Sequence, residues 1–469
     1  LLQERTPRDV PVARPRAQEV SAATQVRDLI PPVLRRFTSP HEATPRTHLL
    51  SNGRYAVMLT VAGSGYSRWR DIAVTRWRED ATRDCWGSYI FLRDTRTGNV
   101  WSAGYQPSGV EADDYEASFS EERAEIIRRD GEWSTTLEVV VSSEDDAEIR
   151  RISVTNTGAE ARDVAITSYA ELSLSPQAVD AAHPAFANLF VQTEFVPETG
   201  ALLATRRRRS DAEATVWVAQ VVVVEGDTVG ELQYETDRAR FLGRGHHVRT
   251  AVSMIDGRPL SNTVGSVLDP VMSLRRTVRV LAGETVRVVF STIVGQTRDQ
   301  VLDLADKYSD PRVFERALSL AWTQTQVQLH HLGIGTEEAQ LFQRLANAVL
   351  YSDASLRPSS ETLGHSTVER TALWAHGISG DLPIVLACID KAEDDDTARQ
   401  LLRAHEYWRI KQLSADVIIL NEKPASYEQD LQGSLEALVG GSRLRLVPDI
   451  AGARGDIYLL RADLLSAQD

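Results

Sequence analysis

The residues best suited to chemistry fall in one stretch, 66–94, which reads YSRWRDIAVTRWREDATRDCWGSYIFLRD. It sets Trp69, Trp77 and Trp86 among Arg68, Arg70, Arg76, Arg78 and Arg83, with Asp71, Glu79, Asp80, Asp84 and Asp94 interleaved. Sugar recognition uses these residue types. A flat aromatic face covers the C–H side of a pyranose, while planar guanidinium and carboxylate groups make several hydrogen bonds to its hydroxyls. The candidates for carbohydrate contact are Trp69, Arg70, Arg76, Trp77, Arg78, Asp80, Arg83 and Trp86. The same pattern fits tryptophans that fill a core while the arginines pair with acids at strand edges, or a surface that docks another domain. Spacing alone leaves these arrangements open.

A second cluster is the glycine-rich loop 374–381, WAHGISGD, with Trp374, His376 and Asp381 as candidates. Glycines let a backbone approach a ligand closely, and Asp381 can accept hydrogen bonds from sugar hydroxyls. Asp381 serves equally well as the N-cap of a helix expected to begin at Leu382–Pro383. Glu406, Glu428 and Asp430 are the acids to consider as paired carboxylates of glycoside chemistry, although on helices such side chains ordinarily face solvent. His246–His247 and His330–His331 are sequence neighbours and lack the i, i+4 spacing that places two ligands on one helix face, so no metal is expected. No GxGxxG or Walker-type loop is present, and no cofactor is expected.

The elements that must position these residues change character along the chain. Residues 1–46 hold seven prolines and many arginines and read as an extended connector. From 47 to 300, short alternating apolar runs between turn residues predict an antiparallel β-sandwich. Three turns stand out as hairpins: Gly98-Asn99 between 89–92 and 100–101, Asn156-Thr157-Gly158 between 149–155 and 164–169, and Ala282-Gly283-Glu284 between 275–281 and 285–292. After residue 300 the period becomes helical, with a helical linker over 301–335 and helical hairpins over 336–469. Leu341, Leu345 and Val349 share one helix side, and Glu337 and Glu338 suit its first turn. Leu401, His405, Trp408 and Gln412 mark another helix, and Ser426 with Gln429 reads as the capping box of a third that stops at Gly440–Gly441. The class is α+β and multidomain: a large antiparallel sandwich followed by helices.

Composition narrows the partners. The chain has 469 residues and a net charge of −14, which opposes nucleic-acid binding; the basic run Arg206–Arg209 sits beside Asp211 and Glu213 and reads as a solvated loop or strand edge. Its hydrophobic content of 42% is that of an ordinary globular protein, and no apolar run is long enough to span a bilayer. Cys85 and Cys388 are the two cysteines, without CxxC spacing, which suggests a reducing, cytoplasmic setting rather than a disulfide or zinc framework. The opening Leu1-Leu2-Gln3-Glu4 reads as a piece of something longer.

Several long stretches resemble one family. SNGRYAVMLTVAGSGYSRWRDIAVTRWREDATRDCWGSYIFLRD (51–94), FVQTEFVPETGALLATRRRR (190–209), HGISGDLPIVL (376–386), AHEYWR (404–409) and ILNEKPASYEQDLQ (419–432) are similar to cyclic β-1,2-glucan synthases. The resemblance implies part of a very large inner-membrane protein, soluble in this segment and on the cytoplasmic side, that builds β-1,2-glucan from UDP-glucose, cyclises it and controls its length by phosphorolysis. The C-terminal half of that family is similar to cellobiose and chitobiose phosphorylases, which join a galactose-mutarotase-like β-sandwich, a helical linker and an α/α barrel. Residues 336–469 would then correspond to the start of such a barrel, and the chain to the first of two sandwich copies.

The departures restrict what carries over. The phosphorylases use a general-acid aspartate in a Trp-Asn-Asp-Gly type setting and downstream histidines for phosphate; this chain has no such sequence. Their Gly-Phe-Arg-Asp type sugar loop corresponds at best to Gly377-Ile378-Ser379-Gly380-Asp381, which lacks the arginine. The resemblance therefore implies a fold and a glucan-related role with no catalytic residue. The leading expectation is a carbohydrate-binding and scaffolding module contacting β-glucan and neighbouring domains of the parent synthase. The enzymatic alternative is inverting phosphorolysis of β-1,2-glucan to glucose 1-phosphate, and a purely structural spacer or dimer interface is a third.

Overall fold

The computed structural model describes residues 34–211, 213–365, 370–391, 394–423, 430–445 and 455–465. The period-two runs become strands because pairing them buries one side of each against a common core. In Ala124–Asp130, Ala124, Ile126 and Arg128 are buried while the residues between them are not. Among the described residues this gives two nine-stranded antiparallel sheets. The first runs from Arg35–Phe37 at one edge, through Asp114–Phe119, Ala124–Asp130 and Trp133–Val141, to Val191–Val196 at the other. The second runs from Asp227–Asp237 through Pro270–Val280 and Arg162–Pro176 to Thr47–Ser51, with Ser88–Asp94 and Val100–Ser102 branching from Arg162–Pro176. Val57, Trp69, Trp101, Phe119, Trp133 and Phe290 share the core between them. Arg35–Phe37 pairs with Asp114–Phe119, so the sheet begins inside the stretch read as connector; residues 1–33 lie outside the described residues.

One of the three expected hairpins forms as such: Ser88–Asp94 pairs with Val100–Ser102. The other two are arches between the sheets. Ala147–Asn156 belongs to the first sheet and Arg162–Pro176 to the second, and the same holds for Thr285–Gly295 and Pro270–Val280. A hairpin and an arch share turn residues, and the difference lies in where the flanking apolar side chains go. Ile152, Val154, Val164, Ile166, Val278, Val280, Val286 and Val288 all enter the core between the sheets, which a shared sheet would not allow. Asn156 ties the two arches together, since its Nδ2 donates to Val280 O at 3.1 Å and its backbone O accepts from Gly283 N at 2.8 Å.

The outer face of the first sheet is covered by the helices Arg298–Lys307 and Val313–Leu332; their Val301, Phe314 and Leu318, with Tyr308 at the end of the first helix, pack on Val140, Ile149, Ala219 and Val221. Strands buried on both faces need not alternate, and Val139, Val140 and Val141 are accordingly all buried. The helix Thr336–Leu350 then crosses to strand Thr47–Ser51 at the free edge of the second sheet. The expected sandwich followed by helices therefore holds.

The far C-terminal part differs in detail from a run of helical hairpins. Ile384–Ile389, Asp416–Asn421 and Ile457–Arg461 form a three-stranded parallel sheet, with the helices Asp395–Ile410 and Asp430–Arg445 in the connections. IVLACI and DVIILN are continuous apolar runs without alternation, which sequence periodicity does not separate from buried helix. Leu382–Pro383 opens no helix; Pro383 O accepts from Asp416 N at 2.8 Å and the chain runs directly into a strand. Nor does a helix stop at Gly440–Gly441. Asp430–Arg445 continues because Leu435, Val439 and Ser442 are buried along it, and that packing outweighs the glycines' poor propensity. The capping box at Ser426–Gln429, with Glu428, lies outside the described residues.

Candidate functional site

The structure disperses the aromatic and basic cluster of 66–94. Trp69 is only 2% exposed, sits in the core between the sheets and donates from Nε1 to Asp146 Oδ2 at 2.7 Å. Arg70 folds over that ring, 4.8 Å from its centroid, in a left-handed backbone conformation of φ 55°. Arg76 is buried and held by Asp180 at 3.1 Å, Glu171 at 3.2 Å, Asp269 at 3.5 Å and Asn188 at 2.7 Å. Burial works against its charge, but these carboxylates more than offset it and hold the guanidinium above its ordinary range. Trp69 and Arg76 are thereby structural residues, and the reading in which this segment builds the fold applies to them.

Trp77 is half-buried where the sandwich meets the C-terminal unit, edge-on to Tyr66 at 5.3 Å and to Tyr351 at 6.0 Å. Its docking partner is the end of the helix Thr336–Leu350 in its own chain. Arg78 lies 6.0 Å from the ring of half-buried Trp86. Asp80 closes its own turn: its carboxylate accepts from Thr82 Oγ1 at 2.6 Å and Thr82 N at 2.9 Å, which holds it below the usual carboxylate range. Arg83 is exposed, and its amide donates to Asp80 O. Burial pushes the neighbouring Asp84 carboxyl up, against hydrogen bonds from Ser64 and Thr60 that favour its charge.

The second cluster comes together. A 3₁₀ turn, Arg370–His376, and the glycine loop after it form a cleft of about 410 Å³ lined by Arg370, Trp374, Gly377, Ile378, Ser379 and Asp381. Trp374 is 59% exposed, with its ring fixed by a hydrogen bond from Nε1 to Ser379 O at 3.3 Å. Arg370 Nη1 pairs with Asp381 Oδ1 at 3.0 Å, so Asp381 caps no helix and instead orients a guanidinium. The turn depends on Gly380, whose φ of 69° suits glycine and where a Cβ would meet Arg370 Cγ at 2.8 Å. His376 is half-buried and its Nε2 has no hydrogen-bond partner among the described residues.

Such a cleft offers a flat apolar ring beside a carboxylate and a guanidinium. An ion pair this exposed adds little to stability, and its remaining donors and acceptors are open to a polyhydroxylated ligand. Sequence reasoning missed Arg370. The loop 377–381 does lack an arginine, but Arg370 reaches it from the preceding turn, a contact that only the folded 3₁₀ turn reveals.

Fold and cleft together describe a large two-sheet sandwich of the kind that accompanies carbohydrate-active enzymes. The chain belongs to the glycosyl hydrolase 94 supersandwich family, whose model matches residues 31–311. It is 40% identical over 468 residues to the cyclic beta-(1,2)-glucan synthase NdvB of Rhizobium meliloti (strain 1021), an alignment covering 100% of this chain and 16% of that protein. Over 283 residues it is 26% identical to the N,N'-diacetylchitobiose phosphorylase of Vibrio furnissii, covering 58% of this chain and 34% of the relative. The chain thus spans well under half the length of either. Among solved structures, a bacterial glucoamylase complexed with acarbose matches 69% of this chain and 42% of its own at a TM-score of 0.38 and 10% identity. The resemblance to the glucan synthases holds along the whole chain. Among the described residues, no helix is long and apolar enough to cross a membrane.

Proposed function

We propose that this chain is a carbohydrate-binding and scaffolding module of a cyclic β-1,2-glucan synthase, gripping β-1,2-glucan at the Trp374 cleft without performing chemistry on it. It works as one segment of a larger polypeptide at the cytoplasmic face of the bacterial inner membrane, packed against neighbouring domains. The observation that carries the reading is the exposed indole of Trp374 beside the Arg370–Asp381 pair. The full-length similarity to a protein named as a cyclic glucan synthase supports the choice of glucan. Among the described residues, Asp381 is the one carboxylate lining this cleft, whereas acid-assisted inversion needs an acid on one side of the glycosidic bond and an attacking group on the other.

Calorimetric titration of the chain with β-1,2-glucooligosaccharides tests this. Saturable binding is expected, weakened about tenfold by Trp374→Ala, the equivalent of about 1.4 kcal/mol for one lost stacking face. Titrations without heat across the millimolar range would remove the binding half of the proposal. The enzymatic alternative takes support from the chitobiose phosphorylase relative. Incubation with phosphate and glucan distinguishes it, since the proposal expects no glucose 1-phosphate.

A further inference from the structure

A second cleft lies on the sandwich, remote in sequence from Trp374. It forms where strand Arg35–Phe37 pairs with Asp114–Phe119 and the chain following it folds over the outer face of the first sheet. Its volume of about 640 Å³ falls in the range of small-molecule sites. Tyr105 forms one wall, with the His41 imidazole edge-on at 4.8 Å between ring centroids. His41 Nε2 lies 3.0 Å from Glu111, and Asp113 Oδ2 accepts from Gly131 N at 2.7 Å. Asp114 and Arg129 face each other across adjacent strands, with Arg129 Nη2 2.6 Å and Nε 2.7 Å from the same oxygen, Oδ2.

These are the elements found around Trp374: an aromatic ring, and an exposed arginine–aspartate pair that adds little to stability. The charge is different. Glu111, Asp113, Asp114 and Glu116 outnumber Arg128, Arg129 and His41 along this cleft, and the guanidinium of Arg128 is buried and already paired with Asp130, which disfavours phosphates and other anions and favours a neutral ligand rich in hydroxyl donors. We infer that this Tyr105 cleft is a second binding site for the same class of neutral β-glucan, so that the module grips one glucan chain at two separate points. The inference rests on the glucan-binding reading of the Trp374 cleft. Two weak sites on one polymer raise the effective concentration at the second once the first is filled, so affinity rises with glucan length without any new contact.

The experiment is calorimetric titration with short and long β-1,2-glucooligosaccharides of the wild-type chain, Trp374→Ala, Tyr105→Ala and the double variant, with Arg129→Ala as a second change in the same cleft. Thermal melts confirm that each variant is folded. Expected is a residual affinity for long glucan in Trp374→Ala that the added Tyr105→Ala removes, and an approximately tenfold loss in Tyr105→Ala and in Arg129→Ala on their own. The wild type should bind long glucan more tightly than short, and the variants of either cleft should lose that preference. If Trp374→Ala abolishes binding while Tyr105→Ala and Arg129→Ala stay within about twofold of wild type, the second site is refuted and the Trp374 reading stands. If binding in the Tyr105 cleft needs an added divalent cation, the neutral-sugar assignment fails. If no variant in either cleft changes affinity, both readings fall.

Discussion

The side-chain amide of Gln343 satisfies both backbone groups of Leu49: Oε1 accepts from Leu49 N and Nε2 donates to Leu49 O, each at 3.0 Å. One helical turn on, Asn347 Oδ1 accepts from Thr47 N at 2.9 Å. The helix Thr336–Leu350 thus stands in for a missing strand along Thr47–Ser51, a sheet edge that would otherwise bury unpaired peptide groups. From there a buried polar chain continues: Gln343 Nε2 donates to Tyr407 Oη at 2.8 Å, and Tyr407 Oη donates to Glu121 at 2.6 Å. Sandwich and C-terminal unit are therefore joined by directional bonds as well as by the apolar contacts of Leu49 and Met58 with Phe342, Ala346 and Trp408.

Gln343→Leu removes that mimicry and leaves both groups of Leu49 unpaired in the interior. A loss of about 2–4 kcal/mol in unfolding free energy is expected, since each buried orphan costs about 1–3 kcal/mol. Urea denaturation measures it. A loss below about 0.5 kcal/mol would mean that the helix covers the edge by packing alone.

Arg76 is the second structural test. Its partners Glu171 and Asp180 are each less than one-tenth exposed, so Arg76→Met strands carboxylates in the interior. The expected cost is about 3–5 kcal/mol, read from urea midpoints. A variant as stable as the wild type would show that water reaches the cluster and that Arg76 is available to a ligand after all.

Acid sensitivity follows from two enclosed histidines. Burial, with Arg409 nearby, pulls His405 down to about 4; its Nε2 donates to Ala415 O at 3.1 Å and its Nδ1 has no partner among the described residues. His48, stacked on Phe119 and accepting from Arg35 through Nδ1 at 2.8 Å, is held well below its ordinary range by burial and then by the Arg35 and Lys411 charges. The folded state therefore binds fewer protons than the unfolded one. Stability is full above about pH 6.5 and is lost as pH falls towards 4, on the order of 3 kcal/mol from His405 alone. His405→Gln should flatten the fall in urea midpoint between about pH 7 and about pH 4.5, and an unchanged slope would contradict this account.

The sequence made the sandwich legible because its strands bury one face or lie between two packed faces, and both leave a pattern of short apolar runs. It did not distinguish a hairpin from an arch at Asn156 or Gly283, because turn chemistry does not record which sheet the next strand joins. It also hid the parallel strands Ile384–Ile389 and Asp416–Asn421, whose continuous apolar runs lack the alternation that identifies a strand; burial accounts for this in Asp416–Asn421, whereas Ile384 and Leu386 of the edge strand are exposed. At the sites, residue types pointed to sugar recognition, but exposure decides it, and exposure depends on partners distant in sequence. Trp69 meets Asp146 and is enclosed, whereas Trp374 bonds to Ser379 of its own loop and stays open. Arg370 and Tyr105 carried no local signal at all.

The central claim is that the open face of Trp374 is where glucan is held. Acrylamide quenching isolates that residue when the emission of Trp374→Phe is subtracted from wild type, because Trp69, Trp101, Trp133 and Trp408 are each under 5% exposed. Adding β-1,2-glucooligosaccharide should lower the quenching of the Trp374 component in step with saturation. A component that stays equally accessible at saturating glucan would contradict the account.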